Sequence, residues 1–171
     1  RAVAALERIF GLMDTRIEID SPPPEASPTS FEVPIEFKGV SFRYLEEGEL
    51  VLKNLDFHLD PGNVIALVGQ TGSGKTTVGK VLTRMYDGYE GSIDVGGAEL
   101  RQIPTERTRE NVGMVHQDVY LFEGTILENI TLGRPDISRE KAMEAAKLVR
   151  ADSFIQALPD GYDAHVVERG A

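Results

Sequence analysis

With 171 residues and a formal net charge of −10 from 18 basic and 28 acidic side chains, the chain is long enough for one domain with a real core, and its acidic balance argues against a nucleic-acid partner. Cysteine is absent, which excludes disulfides and thiolate metal sites, and the scattered His58, His116 and His165 form no cluster at metal-ligand spacing. No apolar run approaches the ~18 residues of a membrane span and the first residues form no signal peptide, so the chain as given reads as a soluble one.

Residues 1 to 14 place Val3, Leu6, Ile9, Phe10 and Met13 at helical spacing, with Glu7 and Arg8 on the other side. Ser21-Pro22-Pro23-Pro24 then opens a polar stretch that reaches Pro34 and reads as an extended linker. From Ile35 the pattern turns to strands. Ile35-Glu36-Phe37 alternates, and Val40, Phe42 and Tyr44 alternate after Gly39, where a bulge or turn is expected. Glu46-Glu47-Gly48-Glu49 makes a solvated hairpin tip, Leu55, Phe57 and Leu59 a return strand, and Asp60-Pro61-Gly62-Asn63 a turn. Val64 to Val68 reads as a buried strand. Val78, Val81, Leu82 and Met85 then lie on one face of a helix. Gly91 to Val95 is a strand ending in a Gly96-Gly97 hairpin turn, Arg107-Thr108-Arg109 sits in a loop, and Val112 to Val115 is another buried strand. Ser138 caps a helix through Glu140 to Arg150, with Ala142, Met143, Ala146 and Val149 inward. Asp152 starts a short helix ending before Pro159, and Asp160-Gly161 turns the chain.

Between the strand Val64–Val68 and the helix after it, Gly69-Gln70-Thr71-Gly72-Ser73-Gly74-Lys75-Thr76 is a complete phosphate-binding loop in the strand–loop–helix context that gives the motif meaning. Glycines let the backbone curl so that successive N–H groups face phosphate oxygens, and the helix start adds positive dipole. Lys75 reaches the outer phosphates and the Thr76 hydroxyl is placed to ligate Mg²⁺.

The order of motifs resembles the nucleotide-binding domain of ABC transporters of the exporter kind over nearly the whole chain. Val40-Ser41-Phe42-Arg43-Tyr44, Val51-Leu52-Lys53-Asn54-Leu55 and Pro61-Gly62 precede the loop in family order. Arg84-Met85-Tyr86-Asp87, Gly91-Ser92-Ile93, Val115-His116-Gln117-Asp118, Leu121 to Ile126 and Glu128-Asn129-Ile130 follow it. Phe154-Ile155, Leu158-Pro159, Gly161-Tyr162-Asp163 and Glu168-Arg169-Gly170 complete the match. The resemblance implies an α/β P-loop NTPase of ABC ATPase type, in part: a β-subdomain, part of a RecA-like core and the start of a helical subdomain. Residues 1–34 are then a linker helix and Pro-rich tether from a missing transmembrane domain, and 35–171 the N-terminal part of the nucleotide-binding domain. His116 before the glutamine and Gly96-Gly97 in place of Asp-Gly depart from the commoner pattern. The family's signature motif, metal-site aspartate and catalytic glutamate are expected beyond Ala171, so no catalytic residue is assigned here.

The resemblance also implies the roles of single residues. ATP with Mg²⁺ is the expected ligand, held by Gly69, Gln70, Thr71, Gly72, Ser73, Gly74, Lys75, Thr76 and Thr77. Thr77 meets the innermost phosphate or merely caps the helix. Tyr44 stacks on adenine, although on pattern alone an aromatic at a strand end reads as core. Gln117 offers an amide oxygen to Mg²⁺, making Thr76 and Gln117 the metal ligands, and Asp118 is a structural loop acid. The implied partners are a fused or associated transmembrane domain and a second nucleotide-binding domain, in a homo- or heterodimer at the cytoplasmic face of the membrane. Two alternatives stay open: a small P-loop kinase, with Arg107-Thr108-Arg109 as the hint of a lid, and an ABC-type ATPase of DNA repair or chromosome structure.

Overall fold

Alternating apolar residues organise the first sheet. The computed structural model describes residues 6, 9–11, 13–14, 19, 21–22, 28, 30–117 and 120–166. The chain divides into two compact units, Arg1–Met114 and Val115–Ala171. In the first, β1 (Ile35–Phe42) lies between β2 (Leu52–Leu59) and β3 (Glu90–Val95), with β4 (Ala98–Glu99) outside β3. All three pairings are antiparallel. The expected irregularity at Gly39 is present. Both ladders of β1 shift register next to it, and its N–H donates to Asp56 Oδ1 at 2.8 Å. The shift brings Phe37, Val40 and Phe42 to the same buried side.

Helix α1 (Lys75–Leu82) covers that side. Its Val78 and Val81 join Phe37, Val40, Phe42 and Ile93 in one core cluster. Leu82 packs at the edge of the cluster, but Met85 lies beyond the helix and is exposed. The helix ends because Arg84 adopts a left-handed conformation (φ 53°), which breaks the periodic run before Met85 is reached. Arg84 is 1% exposed. Its guanidinium pairs with Asp87 and donates to the Ile103 carbonyl, tying the end of α1 to the turn after β4.

Three expectations need correction here. Val64 to Val68 belongs to no strand, and Val64 and Val68 are each 94% exposed. Val112 to Val115 likewise forms no ladder. Both runs are apolar on both faces, the signature of strands buried inside a sheet; among the described residues none pairs with them. Thirdly, Arg107-Thr108-Arg109 is helical, within α2 (Thr105–Asn111). Thr108 is fully buried and Arg107 pairs with Glu110 at 3.6 Å. Of the expected N-terminal helix, Leu6, Ile9, Phe10, Gly11 and Met13 are helical, and the rest of it lies outside the described residues, as does much of the Pro-rich stretch.

The second unit is helical with a two-strand clasp of β5 (Gly124–Thr125) on β6 (His165–Val166). Thr125 and Glu128 form a reciprocal capping box at the start of α3 (Ile126–Thr131). Ser138 caps α4 (Arg139–Leu148) by accepting from the Lys141 N–H at 3.3 Å. Ala142 and Ala146 are buried and Met143 packs against the core, as the periodicity predicts. Val149 is exposed instead of inward, because α4 stops at Leu148. Helix α5 (Asp152–Gln156) buries Ile155, and Asp160-Gly161 leads into a 3-10 turn that buries Tyr162.

This unit should be sensitive to acid. The Thr125 N–H, then the Thr125 hydroxyl, hold the Glu128 carboxyl below its ordinary range. The two-pronged Arg139 hydrogen bond does the same for Asp163. A depressed folded-state pKa gives stability that is present above the unfolded value and lost as pH falls through the folded one. Amide exchange across Val115–Ala171 is therefore expected to stay slow at neutral pH and to accelerate once the pH drops through the carboxylate range. Glu128→Gln should show less of this acceleration. Exchange indifferent to acid would mean that the two carboxylates titrate alike in folded and unfolded chains.

Candidate functional site

The loop Gly69–Thr76 enters α1 through Gly74, whose φ of 88° puts it in the left-handed region. A Cβ there would lie 2.8 Å from the Val51 carbonyl oxygen and 2.9 Å from Leu52 Cδ2. Only glycine lets the loop lie this close to β2. Gly74→Ala is expected to destabilise the first unit by at least ~1–2 kcal/mol, from backbone conformation and overlap together; chemical denaturation measures it. A loss below about 0.5 kcal/mol would mean that β2 gives way freely.

No side chain caps the start of α1 and no acidic residue lies in its first turn. Its leading N–H groups and positive dipole end thus face outward without a built-in anion, the arrangement that favours a phosphate. Lys75 folds back over the loop: its Nζ donates to the Gly69 carbonyl at 2.8 Å, the Gln70 carbonyl at 2.7 Å and Ser73 Oγ at 3.3 Å. The loop is closed by the Ser73 N–H on the Gln70 carbonyl. Thr71, Gly72, Ser73 and Thr76 are exposed, whereas Thr77 is buried. Because Gly74 is the residue at the cap position, the capping alternative for Thr77 falls.

Tyr44 stands just past the end of β1 with 43% of its surface exposed. Its hydroxyl lies 2.9 Å from Thr77 Oγ1. Its ring meets Phe42 and Tyr86 edge-on, each with centroids 5.0 Å apart. Lys80 Nζ lies 5.7 Å from the ring centre. The ring lines a cavity of ≈ 580 Å³ together with Phe42, Arg43, Met85 and Tyr86. Sequence reading finds Tyr44 and Thr77 but misses Tyr86 and Lys80 as neighbours. A signal existed in Thr77 and Lys80, which are three residues apart and therefore share one face of α1.

Gln117 belongs to the second unit, where it is exposed in an irregular stretch, and Asp118 lies outside the described residues. Among the described residues no cluster of three His, Asp or Glu side chains is placed to hold a metal. A Mg²⁺ ion here would take most of its oxygen ligands from phosphates and water, as Mg²⁺ commonly does. The Thr76 hydroxyl, exposed beside the uncapped helix start, fits that donor set.

Comparison with known proteins bears on the same residues. The family profile described as "ABC transporter" matches residues 52–166. The chain is 40% identical over 170 residues to the uncharacterized ABC transporter ATP-binding protein YfiC of Bacillus subtilis, covering 99% of this chain and 28% of that protein. It is 38% identical over 164 residues to a fatty acid ABC transporter ATP-binding/permease protein of Mycobacterium bovis, covering 96% of this chain and 26% of the relative. An ATP-dependent lipid A-core flippase of Legionella pneumophila is 40% identical, over 99% of this chain and 28% of its own length. Among solved structures, a bacterial Atm1-family ABC exporter with ATP bound superimposes with a TM-score of 0.85 at 36% identity, over 98% of this chain and 30% of that one. The chain thus spans under a third of the length of each of these proteins.

Proposed function

This chain belongs to the ABC transporter family, with the P-loop fold of its ATPase domain, and from that premise we propose that it is the nucleotide-binding part of an ATP-driven exporter subunit. One observation supports nucleotide binding above the rest: an uncapped helix start preceded by a glycine loop, with the Lys75 ammonium already over that loop. In the ligand-free chain the ammonium is satisfied by loop carbonyls. Phosphate oxygens offer it full negative charge instead, and the exchange leaves the loop N–H groups directed at the same anion. Gly69, Gln70, Thr71, Gly72, Ser73 and Gly74 supply this backbone, and Thr77 meets the innermost phosphate. Tyr44 stacks on the base. Bound Mg²⁺ would neutralise charge on the outer phosphates, with Thr76 as one ligand and the Gln117 amide oxygen as another.

The proposal extends to the whole subunit. A transmembrane domain, fused or associated, would be driven by two such cassettes that close on ATP and open after its hydrolysis at the cytoplasmic face. Relatives named as ATP-binding/permease proteins support a membrane domain. Residues 1–34 would be its tether. Among the described residues no helix is long and apolar enough to cross a membrane. The kinase alternative loses its hint of a lid, since Arg107 and Arg109 lie on α2 with Arg107 paired to Glu110.

Equilibrium titration tests the nucleotide reading. Mg·ATP and Mg·ADP are expected to bind, and AMP to bind at least roughly tenfold more weakly, because it lacks the outer phosphates that the Lys75 charge meets. AMP binding as tight as ADP would overturn it. The exporter reading is tested by the reading frame around this segment, which should encode membrane-spanning helices or lie beside a gene that does.

A further inference from the structure

Thr77 carries a buried hydroxyl with a single partner. It is 5% exposed, and among the described residues only the Tyr44 hydroxyl, at 2.9 Å, meets its Oγ1. A threonine within a helix commonly turns its hydrogen back to the carbonyl four residues earlier. Thr83, at the end of the same helix, does so, donating to the Gly79 carbonyl at 2.9 Å. Thr77 does not. Each hydroxyl has one hydrogen and two lone pairs, so the Tyr44–Thr77 pair holds two hydrogens and makes one bond. Tyr44 is partly exposed, and water takes whatever it leaves unused. The buried Thr77 has no such outlet, and a buried donor without an acceptor is costly. In the ligand-free chain Thr77 therefore donates and Tyr44 accepts.

An anion in the loop reverses that sense. A phosphate oxygen beside the first turn of α1 is a stronger acceptor than a phenol, so the Thr77 hydrogen turns to it. The Tyr44 hydroxyl then donates to the vacated lone pair on Thr77 Oγ1. No proton changes its oxygen; two hydroxyl rotors turn. We infer that Tyr44 is a positioning residue for the phosphate group, acting through Thr77, in addition to any contact its ring makes with a base. Its hydroxyl aims the Thr77 hydrogen at the anion, and the two bonds in series polarise one another. The edge-on packing of Tyr44 against Phe42 and Tyr86 holds the ring where its oxygen can do this.

This inference rests on the reading of Gly69–Thr76 as a phosphate loop, and its test uses Mg²⁺ with inorganic triphosphate, which has no base to stack. A platform role alone leaves triphosphate binding indifferent to Tyr44→Phe. The relay instead predicts that Tyr44→Phe weakens triphosphate and ATP by the same factor, roughly three- to tenfold. In a Thr77→Ala background the Tyr44→Phe change should add nothing. Triphosphate binding by Tyr44→Phe equal to or tighter than that of the unaltered chain, or losses that simply add, overturn the relay. Should Tyr44→Phe melt early, Thr77→Ser against Thr77→Ala decides: serine is expected to bind as threonine does and alanine more weakly, and equal binding overturns the relay. If the unaltered chain ignores triphosphate, or Lys75→Ala binds it equally well, the phosphate-loop reading falls and this inference with it.

Discussion

Lys75→Ala is expected to weaken Mg·ATP and Mg·ADP by roughly ten- to a hundredfold while leaving the thermal midpoint of the chain nearly unchanged. The ammonium makes three hydrogen bonds in the ligand-free loop, to Gly69, Gln70 and Ser73. Two of these acceptors are neutral carbonyls in an exposed loop, and water replaces the lysine there at little cost. No comparable substitute exists once phosphates are bound. A hydrogen bond between charged groups contributes about 1.5–3 kcal/mol, and in this loop one fixed cation faces several negative oxygens. Isothermal titration of both forms, with a thermal melt to confirm folding, separates the two effects. Affinities within about twofold of each other would mean that backbone N–H groups and the helix dipole hold the anion without the side chain.

What was legible in the sequence followed the range of the interactions involved. The phosphate loop is local: glycine spacing, one lysine and the helix after it lie within fourteen residues of chain, and the structure places them in that order. The Gly39 irregularity, the Gly96-Gly97 turn and the Ser138 cap are equally local, and each appears where the sequence predicts it. Strand readings behaved differently. Val64 to Val68 has the composition of a buried strand, yet a strand exists only through its neighbours, and the described residues provide none. Met85 and Val149 failed for another reason, since each continues an apolar period past the point where the helix ends. The bond from Tyr44 to Thr77 joins residues 33 apart, which no periodicity reports. The burial of Arg84 was hidden by residue type, because a lone arginine reads as exposed. Its partner Asp87, three residues on, was the available clue.

That buried pair is where the largest loss of stability is expected. Asp87→Ala should cost the first unit about 3–5 kcal/mol, because removing one partner of a buried ion pair strands the other charge in the interior. The Arg84 side chain is 1% exposed against 17% for Asp87, so the guanidinium is the group that water cannot reach after the change. The Ile103 carbonyl remains as an acceptor, but a carbonyl dipole does not replace a carboxylate charge. Against a typical total of about 5–15 kcal/mol for a domain, such a loss leaves little margin. The double change Arg84→Met with Asp87→Leu is expected to recover most of it, since an apolar pair of similar volume needs no desolvated charge. Urea unfolding followed by circular dichroism compares the three chains. If Asp87→Ala unfolds within about 0.5 kcal/mol of the unaltered chain, the guanidinium reaches solvent by local opening and the end of α1 is less firmly held than its burial indicates. The consequence reaches the site, because α1 runs from the Lys75 loop at one end to Arg84 just past the other. Loosening the far end should therefore also raise the nucleotide dissociation constant, by a smaller factor than Lys75→Ala and with no change in the preference for ADP over AMP.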